Sequence, residues 1–218
     1  MTVTDERVTQ SQTRGHRWFA AIYDTMNRAE ERGSMGRRRR DLLQDVRGEV
    51  LEIGAGTGAN FEHYAESAHV IALEPDQFML KRAREKLAKI NRPGIELRQA
   101  PAEQLPVPDA SIDVLVSTLV LCTAPDVPRA LAEARRVLRP DGELRFIEHV
   151  RANGLRGRVQ DTIKPVWKWL GAGCNPNRRT EQAIRAAGFD IVSSKREMLM
   201  PWMVPVITGV ARLGATRT

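Results

Sequence analysis

Glu49-Val50-Leu51-Glu52-Ile53-Gly54-Ala55-Gly56-Thr57-Gly58 is the stretch on which the fold of this chain turns. An apolar run with the make-up of a buried strand ends in three glycines at alternate positions, and the pattern that follows predicts a helix over 59–66. Glycines so spaced let the backbone turn through conformations closed to other residues. They also bring it close to a ligand at the carboxyl end of a strand, where ligands bind in open α/β sheets. A dinucleotide site opens in the same way, and Gly54, Gly56 and Ala59 satisfy its spacing, so the glycines alone leave the ligand open.

The neighbouring acids narrow it. Glu52 stands two residues before the first glycine, where a carboxylate repels a pyrophosphate and can accept from a ligand ammonium group. Glu74 ends the next apolar run, where an acid can accept hydrogen bonds from both hydroxyls of a ribose. After a third run, Ala102 and Glu103 open a short loop against which an adenine ring could lie. The three together point to a cationic, adenosine-type guest.

Outward from the loop, strands are expected at 49–53, 69–73, 95–99, 112–117 and 143–150, with helices at 77–89 and 125–138. The second helix is closed by Arg139-Pro140-Asp141-Gly142. Such alternation reads as parallel βαβ crossovers. A helix over 179–187 and runs at 190–196 and 204–211 close the chain, the last two as an antiparallel pair. At the other end, 17–32 carries Trp18, Phe19, Ile22, Tyr23 and Met26 at helical spacing, and a second helix spans 34–45. Residues 1–15 are polar and are expected to be disordered, 16–48 to form a helical lid, and 49–218 the core, with an acceptor-pocket insert at about 151–176.

At Glu52-Ile53-Gly54-Ala55-Gly56-Thr57-Gly58 the chain resembles the class I S-adenosylmethionine-dependent methyltransferases. The resemblance covers roughly residues 17–213. It implies a Rossmann-like fold of a seven-stranded mixed sheet with helices on both faces, an amino-terminal helical lid, and S-adenosylmethionine as cofactor with S-adenosylhomocysteine as product. Carried over residue by residue, it places Glu52, Gly54, Ala55, Gly56, Gly58 and Asn60 at the glycine turn, and Glu74 and Pro75 at the ribose. Ala102 and Glu103 would flank the adenine, Thr118 and Leu119 the methionine part, and Tyr23 would close over the cofactor. Pro101 stands where the small-molecule branch often has Asp. The likeness narrows at Ser117 to Cys122, at Glu148-His149-Val150 and at Gly171 to Cys174, which look like the alkyl thiol methyltransferases of animal microsomes and their bacterial relatives. Those animal proteins begin with an apolar anchor that this chain lacks, so membrane residence is not carried over.

The chain has 218 residues, a formal charge of +7 and two cysteines. One globular domain fits that length, and a disulfide framework does not fit that cysteine count. No apolar leader or membrane span is visible, so a cytoplasmic protein is expected. The four histidines lack HxxxH or HExxH spacing, so no metal site is expected. The run Arg37 to Arg40 is read as a water-facing surface, and no nucleic-acid partner is expected.

For the acceptor, Trp18, Cys122, Trp167, Cys174 and Trp202 are the candidate pocket residues. The segments 166–174 and 198–206 hold no Asp or Glu, which suits a small apolar thiol better than an amine. His149 is the candidate proton acceptor from that thiol, because an imidazole titrates near working pH. Glu148 would orient His149 or contact the cofactor. Two other readings stay open: N-methylation of a phospholipid head group by a chain lying peripherally on an anionic membrane, and a non-catalytic basic binding module.

Overall fold

The computed structural model describes residues 33–170, 174–198 and 204–214. Seven strands make one sheet: β1 Gly48–Ile53, β2 Ala68–Leu73, β3 Ile95–Arg98, β4 Ile112–Thr118, β5 Leu138–His149, β6 Phe189–Met198 and β7 Pro205–Leu213. Their order is β3-β2-β1-β4-β5-β7-β6. The first five run parallel, and β7 lies antiparallel between β5 and β6. This is the Rossmann-like mixed sheet expected from the sequence, with the switch point between β1 and β4. The helices are α1 Ser34–Leu43, α2 Gln77–Ile90, α3 Val127–Val137, α4 Gly154–Leu170 and α5 Thr180–Ala186. The expected helix over 17–32, with Trp18 and Tyr23, lies outside the described residues, as do Trp202 and the side chain of Trp167.

Local chemistry explains the elements. Asp76 caps α2 by accepting from the amides of Phe78 and Met79, and Asn91 ends that helix in a left-handed conformation at φ 48°. Asp126 caps α3, whose buried stripe of Ala130, Leu131, Ala134 and Val137 faces the sheet. Along β4 the side chains alternate: Leu115 joins one core with Leu51, Phe146 and Leu131, while Val114 and Val116 join the other with Val50, Ile147 and Leu43. Both faces are therefore covered, which is why the central strands read as continuous apolar runs.

Three local readings differ. The helix over 59–66 is only a 3-10 turn at Phe61–His63, preceded by turns. Few residues separate Gly58 from β2, and an extended path covers more distance per residue than a helix. The segment Arg139-Pro140-Asp141-Gly142 belongs to β5, which starts at Leu138 and bulges before Glu143 pairs with Val114. The Arg139 guanidinium holds that bulge on Asp113. Finally, much of the tryptophan-bearing stretch after Val150 is α4.

Phe146 faces Gly209 across the β5–β7 ladder, and a Cβ on that glycine would sit 2.7 Å from the ring. The ring fills the space left open by the glycine. Phe146→Ala is expected to lower unfolding stability by about 3–5 kcal/mol, read from urea denaturation, because the ring is fully buried.

Candidate functional site

Strand β1 ends in the glycine turn, which the sheet holds from beneath: the Ala55 amide donates to the Leu73 carbonyl at 2.8 Å, and the Gly58 amide to the Ala55 carbonyl at 2.9 Å. Gly54, Gly56 and Gly58 have φ of 60°, 59° and 85°, a region in which a side chain is strained. A Cβ on Gly56 would meet nothing within 4 Å, so this side of the turn is clear for a ligand. Glu74, at the carboxyl end of β2, accepts from the amides of Gly56 and Asp76, both at 2.8 Å. Burial raises its pKa to about 7 despite those two bonds. Pro75 follows, exposed, its carbonyl accepting from Gln99 Nε2 at 2.9 Å.

Ala102 and Glu103 lie on a loop that α3 pins. Arg136 donates to the carbonyls of Leu105 and Val107, and Glu133 accepts from the Leu105 amide. Ala102 is buried, while the Glu103 carboxylate accepts from the Asp126 amide at 3.2 Å.

Glu52 corrects the expectation of a ligand ammonium partner. It is 1% exposed, and its two oxygens accept from Asn60 Nδ2 and the Tyr64 hydroxyl, both at 2.9 Å. Burial raises its pKa, with these bonds opposing the rise. Its role is internal: Asn60 in turn donates to Thr118 Oγ1 at 2.9 Å, which joins the glycine turn to the end of β4. Arg39 completes the network, donating to Asn60 Oδ1 at 2.7 Å and to Thr118 Oγ1 at 3.0 Å. Contrary to the water-facing reading, Arg39 is buried, and its neighbour Arg38 pairs with Glu197 at 3.2 Å. The signal was present in the sequence, since Met35, Arg39 and Leu42 share the inward face of α1 at helical spacing.

Beyond Thr118 the chain kinks at Leu119, φ 60°, whose amide donates to the Ile147 carbonyl. Glu148 holds the kink. Fully buried, its Oε1 accepts from Ser117 Oγ and the amides of Val120 and Leu121, and its Oε2 from the amide of Cys122. Oε1 carries three of these bonds and Oε2 one, all from residues 117–122, so the bonds that Glu148 makes fold this segment and do not orient His149 as the sequence reading expected. Glu148 is a positioning residue that sets where Cys122 stands.

His149, half-buried at the end of β5, directs Nδ1 at two sulfurs, Cys122 Sγ at 3.8 Å and Cys174 Sγ at 3.5 Å. The structure thus brings together three of the expected acceptor-side residues. The Cys122 thiol is pushed well above its usual pKa, first by hydrogen bonding with Cys174, then by burial and by the Glu148 charge. Histidine spacing in the sequence had no means of finding this trio, because its members stand on three separate segments.

Comparison with known proteins agrees with this fold. A methyltransferase-domain profile matches residues 51–146. The human thiol S-methyltransferase TMT1A is 34% identical over 180 residues, covering 78% of this chain and 72% of that protein. A phosphatidylethanolamine N-methyltransferase of Cereibacter sphaeroides is 35% identical over 158 residues, covering 71% and 76%. An S-adenosylmethionine-dependent methyltransferase of Aquifex aeolicus, 16% identical, superposes with a TM-score of 0.65 over 89% of this chain and 97% of that one, a likeness of fold. The fold and the glycine turn beside an acid define a nucleoside-binding transferase. The chain belongs to the class I S-adenosylmethionine-dependent methyltransferases, close to the thiol S-methyltransferases. S-adenosylmethionine fits the residues present: the clear face at Gly56 admits a ligand, and the Glu74 carboxylate beside it keeps acceptor capacity for hydroxyl groups.

Two outcomes follow. Ribose hydroxyls donate to an ionised Glu74, so cofactor affinity should fall as pH drops below about 7, by up to about tenfold per unit, with a proton released on binding. Calorimetry in buffers of different ionisation enthalpy reads both, and Glu74→Gln should abolish the pH dependence. In the ligand-free protein the sign is reversed: the raised pKa favours the protonated folded state, so stability is lost as pH rises from 4.5 to about 7. Separately, Glu148→Ala strands three amides and a hydroxyl, and denaturant unfolding should show a loss of about 3 kcal/mol or more.

Proposed function

We propose that the chain transfers the methyl group of S-adenosylmethionine to the sulfur of a small apolar thiol. Bound at the glycine turn, the cofactor supplies a methyl group on a sulfonium. The chain has to hold the acceptor in line with that methyl and exclude water. In this reading Gly54, Ala55, Gly56, Gly58, Glu74, Pro75, Ala102 and Glu103 hold the nucleoside, and Thr118 and Leu119 the methionine part, with Asn60 and Arg39 fixing Thr118.

The carrying observation is the trio of Cys122, His149 and Cys174, beside a carboxylate, Glu148, that is fully buried and hydrogen-bonded to residues 117–122. A thiolate and a sulfonium lose their charges together in the transition state, so surroundings without a free carboxylate favour that pair. An amine acceptor keeps its positive charge and is better served by acids or aromatic faces. The thiol-acting relative supports the same acceptor. The two buried, unbridged cysteines support a reducing, cytoplasmic setting as part of this proposal.

A second reading has its own support. The phosphatidylethanolamine-acting relative is accompanied by a groove next to the trio, lined by Arg151, Arg178, Arg179 and Arg196, that would suit an anionic head group. Three of these arginines are already engaged, Arg151 with Asp161, Arg196 with Glu181 and Arg178 with the carbonyls of Leu121 and Ala124, which weakens that pull. Among the described residues no helix is long and apolar enough to cross a membrane.

Incubation with labelled donor and separate thiol, amine, phenol and phospholipid pools should place the label on sulfur of an apolar thiol. Label on a lipid amine instead would establish the second reading. His149→Ala should lower kcat/KM for the thiol about 100-fold while cofactor affinity, measured by calorimetry, stays unchanged.

A further inference from the structure

The three groups on the acceptor side form a donor set that the sequence spacing concealed. Two sulfurs and an imidazole nitrogen all lie within 4.8 Å of one another. A tetrahedral zinc ion with Zn–S of about 2.3 Å and Zn–N of about 2.0–2.1 Å sets its sulfur and nitrogen ligands about 3.5 Å apart. The observed separations from His149 Nδ1 are 3.5 Å to Cys174 and 3.8 Å to Cys122. Both nitrogen–sulfur separations therefore match a thiophilic cation, and the two sulfurs lie within 4.8 Å of each other.

They are also held there. Glu148 fixes the amide of Cys122, and the Asn175 amide, next to Cys174, donates to the Cys122 carbonyl at 2.8 Å. Arg178 donates to the carbonyls of Leu121 and Ala124, and Thr180 Oγ1 to that of His149 at 3.4 Å. Three segments are thus tied together at their backbone groups, and the side chains of Cys122, His149 and Cys174 converge between them. Among the described residues the set has three protein ligands. Structural zinc sites are closed by four, whereas three leave one position open for water or substrate.

We propose that Cys122, His149 and Cys174 bind a zinc ion whose open fourth position takes the sulfur of the acceptor thiol. The cation site stands on the donor geometry, and the occupant of its fourth position rests on the thiol reading above. On coordination the acceptor's S–H proton leaves to solvent and the sulfur remains as thiolate, since a coordinating thiol is deprotonated outright. A lone pair of that sulfur forms the new S–C bond while the sulfonium–methyl bond breaks, its electron pair passing to the departing sulfur. His149 then acts as a ligand instead of a base, and ionisation of the acceptor does not depend on a free imidazole.

The test uses the full chain, reduced, with cobalt(II) as a spectroscopic stand-in and zinc competing against a chromophoric chelator. The expected result is one ion per chain, sulfur-to-cobalt charge-transfer absorption in the near ultraviolet and the intense visible bands of a tetrahedral site. Cys122→Ser, Cys174→Ser and His149→Gln should each weaken binding about 100-fold or more, with circular dichroism verifying the fold. A measurement on the unaltered chain guards against misfolded variants: zinc should protect the fold against heat, read as a raised melting temperature. Adding an apolar thiol, but not an amine, should shift the visible bands. Absence of the cobalt spectrum together with no protection overturns the cation site, and thiol methylation persisting in metal-free protein would then leave the acceptor reading intact. A cobalt site whose bands ignore thiols, in a protein that methylates none, keeps the site and overturns the acceptor.

Discussion

A carboxylate cannot sit at the rim of a parallel sheet, wholly shut off from water, unless hydrogen-bond donors surround it. Glu148 meets that condition by gathering Ser117 and three consecutive amides, and in doing so dictates the path of the chain after β4. The left-handed conformation at Leu119, unfavourable for a branched residue, persists because these bonds over-determine it. From this one anchorage follow the place of Cys122 and the docking of the Cys174 segment through Asn175.

The site is built from two polar networks that touch at the end of β4. One runs from Arg39 through Asn60 to Glu52 and Tyr64 and braces the glycine turn; the other radiates from Glu148 and braces the acceptor side. Thr118 belongs to the first and Ser117 to the second, so neighbouring residues with side chains on opposite faces tie β4 to two different networks. Each buried acid is satisfied by several donors, the condition under which a buried charge is tolerable.

The fold was largely legible because its signals are local. The glycines after Ile53, the capping Asp76 and the alternation of apolar runs each constrain a few adjacent residues, and together they imply a crossover sheet. The place of Glu74 at the end of β2, beside the glycine turn, was legible for the same reason, since strand ends are visible in the sequence. The amino-acid string could not reveal where a side chain spends its bonding capacity. Glu52 and Glu148 looked exposed to a ligand and are buried among donors of the chain itself; Arg39 looked solvated and is buried. Chain pattern also overstated the helix after Gly58, where the short span to β2 overruled propensity. Cys122, His149 and Cys174 meet only because β4, β5 and the segment before α5 end at one rim, a consequence of topology that no spacing rule contains.

A rim fastened as tightly as residues 119–122 does not mould itself around its guests. Its outline is set by the chain's own bonds before any guest arrives, so a change at Ser117 or Glu148 reshapes the whole corner at once, as a keystone does an arch.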